Sequence, residues 1–232
     1  MNNKNSYKPT FSEDYEKKLR QWQDNVYKES KTRETQHIQF LDRLFTIPPR
    51  VHPINPMSDL LGNAVLQEVK EGDRVLDMGT GSGVNAILAA SKSREVIAVD
   101  INPEAIKCAK KNAKMNKVDS VVSFKVSDVF TNVKGKFDLI IFDPPFRWFH
   151  PRDIYEVATT DQHYQTLRTF FFEVEKYLNK SGRILLCFGS SGDITYLKRL
   201  IRKCHFHRKI IAKRSLEKEG INVYYYSFRL TM

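Results

Sequence analysis

The spacing of apolar residues predicts an amphipathic helix near the N-terminus. Positions three and four apart lie on one face of a helix, and five apolar residues have that spacing: Phe11, Tyr15, Leu19, Trp22 and Val26. Such a face usually packs against its own domain, and the alternative is a helix that binds a partner. Four prolines between Thr46 and Pro56 then predict an extended connector, which either links two parts or lies across the mouth of a site.

From residue 58 onward, predicted helices alternate with predicted strands. Short apolar runs predict strands at residues 74–78, 95–99, 121–126, 137–142, 183–187, 208–212 and 223–229. Helices are predicted at 60–69, 84–91, from the Asn102-Pro103 cap onward, at 162–178 and at 194–204. This alternation indicates an α/β fold with a mostly parallel sheet and helices on both faces. The last two strands, joined by a turn at Glu219-Gly220, predict an antiparallel edge strand.

The composition predicts a soluble globular chain, because 41% of the residues are apolar and 28% are charged. No apolar run approaches the ~20 residues that span a bilayer, and the polar first thirty residues do not have the pattern of a secretory signal. The three cysteines, Cys108, Cys187 and Cys204, cannot all pair and match no metal-ligand spacing. We therefore expect a cytoplasmic protein with reduced thiols and no metal site.

The net charge of +11 is concentrated near the C-terminus. Residues 197–232 carry 10 Lys and Arg against 2 Asp and Glu, whereas residues 51–196 are balanced. Such a segment is either a solvated basic face or a surface that binds a polyanion. If it binds nucleic acid, the expected phosphate contacts are Lys198, Arg199, Arg202, Lys203, Arg208, Lys209, Lys213 and Arg214. The cations and aromatic residues that alternate over residues 147–152 also favour nucleic acid.

A glycine-rich turn follows the first strand of the α/β alternation, in the motif VLDMGTGSG that ends at Gly83. The spacing G-x-G-x-G, formed by Gly79, Gly81 and Gly83, differs from the G-x-G-x-x-G of dinucleotide dehydrogenases. Asp77 precedes the turn, where a carboxylate would repel a pyrophosphate and attract the ammonium of an amino-acid moiety. The motif therefore favours S-adenosylmethionine over NAD.

Two further acids follow the next two predicted strands. Asp100 lies 17 residues after Gly83, close to the spacing of an acid that holds a ribose diol. Asp128, in the motif SDV, can accept a hydrogen bond from an adenine amino group. Because parallel sheets bind ligands at the carboxyl ends of their strands, we expect Asp77, Asp100 and Asp128 to lie near one crevice.

The most specific motif is FDPPF, which ends at Phe146 and directly follows the strand at 137–142. Two prolines fix the backbone and donate no hydrogen bond, so Asp143 and the Pro144 carbonyl can act as paired acceptors for a planar NH2 group. Phe146 supplies a flat face for stacking. The candidate catalytic residues are therefore Asp143, Pro144, Pro145 and Phe146.

Residues 51–232 resemble the class I S-adenosylmethionine-dependent methyltransferases. The resemblance is to the branch that includes release-factor glutamine N-methyltransferases and ribosomal-RNA guanine N2-methyltransferases. It rests on VLDMGTGSG, VIAVDINPEA, VSDVF and FDLIIFDPPF, which occur in that family's order. It implies a Rossmann-like seven-stranded sheet of order 3-2-1-4-5-7-6, with residues 1–50 as a helical extension and connector. The implied cofactor is S-adenosylmethionine, with contacts at Asp77, Gly79, Thr80, Gly81, Gly83, Asp100, Ile101, Asp128, Val129 and Asp143.

The acceptor of the methyl group stays open at this point. Glutamine methyltransferases carry NPPY where this chain has DPPF, and the aspartate form is more usual among enzymes that methylate adenine or guanine amino groups. A protein glutamine and a nucleic-acid base are therefore near-equal expectations, with a small molecule third. A rival from another class is a non-catalytic RNA-binding module, which the intact acceptor pair argues against.

Overall fold

A computed structural model describes residues 7–218 and 220–232 of the chain. The described part begins with helix α1 (Glu13–Lys31) and a hairpin of β1 (Gln36–Phe40) and β2 (Arg43–Ile47). It continues with α2 (Ser58–Glu68), β3 (Arg74–Met78), α3 (Val84–Ala89), β4 (Glu95–Asp100), α4 (Pro103–Met115), β5 (Val122–Val126), β6 (Phe137–Phe142), α5 (Gln165–Glu173), β7 (Leu178–Gly189), α6 (Ile194–Lys203), β8 (His207–Lys218) and β9 (Ile221–Thr231).

Strands β3 to β9 form one sheet in the order β5-β4-β3-β6-β7-β9-β8. Counted from β3 the order is 3-2-1-4-5-7-6, which confirms the expected fold. Strand β9 runs antiparallel to both β7 and β8, so the antiparallel strand is second from the edge and β8 forms the edge itself. Glu219 of the expected turn lies outside the described residues, and Gly220 beside it has a φ of 66°.

Alternate side chains of the strands supply two cores, one on each face of the sheet. In β6, Ile140 and Phe142 pack with residues of α1, α5 and α6, whereas Leu139 and Ile141 pack with residues of α2 and α3. Burial on both sides is the reason that this strand is apolar throughout.

Helix α1 packs on the sheet with the apolar face that the sequence predicts. Leu19 and Trp22 are buried in the same core as α5 and α6, and Tyr15 and Val26 pack against that core. The Ser12 hydroxyl accepts a hydrogen bond from the Tyr15 N–H, which caps the first turn. The apolar face of α1 is therefore covered by its own domain.

The hairpin β1–β2 lies in the segment that was expected to contain only a helix and a connector. Its two turn residues, Leu41 and Asp42, have φ values of 45° and 60°, a left-handed conformation that Asn-Gly usually supplies. The sequence therefore carries no hairpin signal at this turn. Asn112 of α4 and Asn116, which caps its C-terminal end, hydrogen-bond to the backbone of β2 and tie the hairpin to the domain.

The expected helix over residues 162–178 is shorter in the structure, and the prediction is wrong for its last five residues. Helix α5 ends at Glu173, a 3-10 turn spans Val174–Tyr177, and β7 begins at Leu178. Strand β7 pairs with β6 at Leu178 and again from Arg183, with a register shift between the two points. Gly182, a residue type typical of turns, lies within the shifted part of β7.

Within the described residues, no helix is both long enough and apolar enough to cross a bilayer. The three cysteines are free thiols, of which Cys108 and Cys187 are buried. Across the same part of the chain, His, Cys, Asp and Glu side chains form no group of three or more that could hold a metal ion.

Candidate active site

A cavity of about 450 Å³ opens at the carboxyl ends of β3 to β6. Its volume lies in the range typical of small-molecule sites. Two expected site residues, Asp77 and Gly83, are not part of its lining. The remaining expected residues all line it: Gly79, Thr80, Gly81, Asp100, Ile101, Asp128, Val129, Asp143, Pro144, Pro145 and Phe146.

Asp77 lies beneath the glycine-rich turn and supports it. The carboxylate accepts hydrogen bonds from the Thr80 hydroxyl at 2.6 Å and from the Ala86 N–H at 3.1 Å. Burial, with smaller contributions from the carboxylates of Asp100 and Asp143, raises the pKa of Asp77 to about 7. Asp77 thus joins the turn to the start of α3, below the cavity surface.

The glycine-rich turn leaves open space on its cavity side. Gly79 and Gly81 have φ values of 69° and 55°, and no atom lies within 4 Å of the place where a Cβ would stand. Gly83 has another function, because a Cβ there would come within 3.0 Å of the Ala109 Cβ on α4. The first two glycines therefore give a ligand access to the backbone, and the third allows two helices to pack.

Asp100 fixes the turn from the neighbouring strand. One carboxylate oxygen accepts from the Gly81 N–H and the other from the Asn102 N–H, both at 2.8 Å. Burial raises the pKa of Asp100. Asn102 in turn accepts from the Glu104 N–H and caps α4, as the sequence predicts. The Asp100 carboxylate is therefore held rigidly at the rim of the open turn.

Beyond Asp100, the cavity wall combines an exposed apolar side chain with an exposed acid. Ile101 is 39% exposed, and the Asp128 side chain also reaches solvent. Val129 has a φ of 43°, which is unusual for a β-branched residue. The Ser127 hydroxyl donates to the Val129 carbonyl at 2.9 Å and holds this conformation.

Asp143 lies at the floor of the cavity, with protein around it and one side open to the cavity. Burial raises its pKa to about 6, and a hydrogen bond from the Cys187 thiol partly opposes that rise. Pro144 behind it is buried. Asp143 and Pro144 therefore both line the cavity, and the acceptor pair that they are expected to form stays a prediction.

A relay of hydrogen bonds fixes the end of the DPPF motif. The Tyr164 hydroxyl donates to the Phe146 carbonyl at 2.6 Å and accepts from the Asp193 N–H at 2.7 Å. Gly192 lies against the same carbonyl, since a Cβ there would come within 2.3 Å of the oxygen. The Phe146 ring lies 6.1 Å from the Tyr225 ring. The motif therefore has little freedom to move.

Residues from the α1 segment and from the proline-rich connector complete the cavity, and the connector packs beside α3 and α4. Sequence reasoning placed none of them in the site individually, although it allowed that the connector could lie across a mouth. They are Trp22, Val26 and Glu29 of α1, Arg33 just after its end, and residues 51–58. The sequence gives little indication that α1 lines the cavity, because an apolar helix face predicts packing but not the position of the helix end relative to a site.

Residues 147–152 do not form the nucleic-acid surface that their composition suggested. Trp148 and Phe149 are 4% and 6% exposed, so neither ring is available to a base. The Arg147 guanidinium lies over Trp22, 4.1 Å from the ring centroid, and Arg152 pairs with Asp24 and with a buried carboxylate. The run instead holds α1 against the domain.

The eight basic residues expected to contact phosphate are all exposed, but they do not share one surface. Helix α6 leads away from the cavity edge of the sheet, so Arg202 and Lys203 lie with the start of β8 at the opposite edge. Lys213 pairs with Tyr226 and Arg214 with Tyr225, towards the cavity. A strand rises about 3.3 Å per residue, so these two groups are well separated.

Residues 53–210 match the family model of the methyltransferase small domain. The chain belongs to the methyltransferase small domain family. It is therefore a methyltransferase, and the resemblance inferred from its four motifs is confirmed.

Two relatives and one solved structure illustrate the range of similar proteins. A protein of Methanocaldococcus jannaschii with the provisional name protein N5-glutamine methyltransferase is 38% identical over 148 residues, 57% of this chain and 71% of that protein. The release factor glutamine methyltransferase of Haemophilus influenzae is 33% identical over 141 residues, 52% of this chain and 48% of that enzyme. The crystal structure of Trm5b from Pyrococcus abyssi has a TM-score of 0.63 at 22% identity and covers 86% of this chain and 56% of Trm5b. At that identity the likeness shows the fold alone, and the chain spans only about half of the latter two proteins.

Proposed function

We propose that this methyltransferase transfers the methyl group of S-adenosylmethionine to a planar amino or amide nitrogen. The observation that carries the proposal is that Asp143 and Pro144 line the same cavity as the open glycine-rich turn. We also propose that residues 51–232 form the methyltransferase domain and that residues 1–50 are an extension closing its acceptor side. With free thiols, the expected location is the cytoplasm.

The donor set around the turn fits this cofactor. Gly79 and Gly81 leave their backbone open to the methionine part, and the Asp100 carboxylate at the rim suits a ribose diol. The exposed Ile101 offers an apolar face for adenine, and Asp128 an acceptor for its amino group. When bound, S-adenosylmethionine supplies an electrophilic methyl group on a sulfonium centre.

The residues of this chain orient the acceptor. Asp143 and the Pro144 carbonyl accept the two hydrogens of the NH2 group, which turns the nitrogen lone pair towards the cofactor side of the cavity. No strong base is needed beforehand, because orientation and exclusion of water lower the barrier of a direct displacement. The Asp143 carboxylate balances the positive charge that develops on nitrogen, and the proton leaves to Asp143 or to solvent.

Two acceptor classes fit this site. The two relatives named above are both called glutamine methyltransferases, which favours a protein glutamine. The carboxylate of Asp143 favours the amino group of a base, because a charged acceptor binds NH2 more strongly than a neutral amide does. A non-catalytic binding module is not favoured, since such a module has no use for a fixed acceptor pair.

The proposal is tested in two steps. Titration calorimetry with S-adenosylhomocysteine should show micromolar binding, and NADH should not bind. Labelled cofactor is then incubated with fractionated lysate, and the label should disappear on treatment with either nuclease or protease, which identifies the acceptor class. An Asp143→Ala variant that binds S-adenosylhomocysteine but labels the fraction at the wild-type rate would refute the acceptor-pair mechanism.

A further inference from the structure

Arg147 places a buried positive charge in the cavity wall directly after the DPPF motif. The residue is 6% exposed, and one of its N–H groups donates to the Gln23 side-chain oxygen. Within the described ranges no carboxylate forms an ion pair with it. The charge of the Glu156 carboxylate acts on Arg147 without direct contact. Glu156 is bound by Arg152, and only the Gln23 side chain links it to Arg147.

Such a charge is costly unless an anion or several hydrogen bonds compensate it. Burial lowers the pKa of Arg147 to about 10, so the guanidinium stays charged at neutral pH. Its Nε and Nη2 groups have no hydrogen-bond partner in the described part of the chain, and they are not sealed off from the cavity. Part of the planar guanidinium of Arg147, its Nε and Nη2 side, is therefore available to a ligand.

Two further cations line the same half of the cavity. Arg33, just after the end of α1, donates to the Tyr155 hydroxyl at 2.8 Å, and the Lys218 ammonium lies 5.6 Å from the centroid of the Trp22 ring. Neither forms an ion pair with any residue that the structure describes. On this side α1 also contributes the exposed acid Glu29.

The acids of the cavity lie mainly on the opposite side, where the cofactor is proposed to bind. Asp100 and Asp128 follow β4 and β5, away from α1. The pKa of Asp143 is set by burial and by Cys187, without a contribution from Arg147. Arg147 is therefore not the counter-ion of the acceptor-binding carboxylate, and its charge remains available.

We propose that the methyl acceptor carries an anionic group, a phosphate or a carboxylate, which binds Arg147 on the α1 side while the planar nitrogen meets Asp143 and Pro144. The guanidinium fork matches the geometry of both anions. This inference rests on the proposed function for the place of the nitrogen, whereas binding of the anion can be measured without any methyl transfer.

The test compares pairs of planar nitrogen compounds that differ in one anionic group. Protein saturated with S-adenosylhomocysteine is titrated with AMP against adenosine, and with N-acetylglutamine against its C-terminal amide. In one pair the anionic member should bind at least about tenfold more tightly, since hydrogen bonds to charged groups contribute about 1.5–3 kcal/mol. A preference in the first pair identifies phosphate, and in the second carboxylate.

Variants separate the role of Arg147 from the general positive charge of the protein. Arg147→Gln should abolish the preference. Lys31→Gln removes one charge at the exposed end of α1, outside the cavity lining, and it should keep the preference. Lys218→Gln, on a partly exposed strand end, should reduce it in part and provides a second readout if Arg147→Gln fails to fold.

Two outcomes overturn the inference: neither pair shows a preference in the wild type, or a folded Arg147→Gln protein keeps it. If Arg147→Gln does not fold, an unchanged preference in both Lys218→Gln and Arg147→Lys overturns it. Failure of S-adenosylhomocysteine to bind is seen before any anion is added, and it counts against the proposed function instead.

Discussion

The Cys187 thiol lies beside the Asp143 carboxylate in the cavity, close enough to lower the pKa of that acid as a donor. The contact follows from the sheet, because Phe142 of β6 pairs with Leu186 of β7 and the next residue of each strand reaches the same level. Burial and the nearby carboxylate raise the pKa of Cys187 well above its usual value. The thiol therefore stays protonated and stabilises the ionised form of Asp143.

The activity should depend on pH through Asp143. Only the ionised carboxylate accepts from NH2 with both oxygens, and its pKa is raised to about 6. The rate should therefore fall as the pH drops through this region and level off above it. Positive charge on a bound cofactor lowers the pKa of Asp143. The decrease of the rate on the acid side of the pH profile, its acid limb, should therefore lie at about pH 6 or below.

The measurement is kcat/KM for the acceptor on both sides of pH 6. Asp143→Asn is the matched control, because it keeps a carbonyl acceptor and has no group that titrates. It should be slower and lack the acid limb. An acid limb of the same position in Asp143→Asn would assign the titration to another residue.

Replacement of Cys187 should move the same acid limb. Cys187→Ala removes the donor that lowers the pKa of Asp143, so the pKa should rise and the limb should shift to higher pH. Cys187→Ser keeps a donor and should shift it less. Thermal unfolding of both variants checks that they fold, and identical limbs in wild type and Cys187→Ala would contradict the predicted effect of the thiol.

Asp100→Ala should weaken binding of S-adenosylhomocysteine by about 1.5–3 kcal/mol, the range for hydrogen bonds to a charged acceptor. Part of the loss comes from the Gly81 N–H, which Asp100 also holds. Asp100→Asn keeps one acceptor oxygen and should lose less. Calorimetry measures all three proteins, and unchanged affinity in a folded Asp100→Ala variant removes this residue from the cofactor site.

The elements around the cofactor side could be predicted because their signals are local. Strands at 74–78 and 137–142 have the predicted bounds, since a short apolar run between turn residues is typical of a buried parallel strand. The carboxyl ends of such strands meet at one edge, so Asp100, Asp128 and Asp143 had to come close together. The motif does not show whether the Asp77 side chain points towards the ligand or towards the turn that it supports.

The acceptor side could not be predicted because it depends on contacts between distant parts of the chain. Gln23 meets Glu156 and Arg147, more than a hundred residues away. A segment that mixes cations and aromatic residues has the same composition in both cases: its rings can bind a base, or they can be buried under another helix, as Trp148 is. Only the packing of α1 distinguishes these two cases.

The separation of the basic residues on β8 and α6 predicts which of them serve an RNA acceptor. Lys213 and Arg214 lie towards the cavity, whereas Arg202 and Lys203 lie at the far edge of the sheet. For an RNA substrate, the Lys213→Gln/Arg214→Gln variant should flatten the slope of log affinity against log salt by roughly 1.4, at roughly 0.7 per lost phosphate contact on a single strand. The Arg202→Gln/Lys203→Gln variant removes the same charge and should leave the slope unchanged.

Acceptor affinity is measured for both variants and the wild type at three salt concentrations, with S-adenosylhomocysteine affinity as the control for folding. Equal flattening in both variants would show that Arg202 and Lys203 also contact the substrate, as the sequence alone predicts. A wild-type line without slope would eliminate nucleic acid as the acceptor, because neutralised phosphates always release counterions. In that case protein glutamine becomes the leading acceptor, and neither double variant should change turnover at physiological salt.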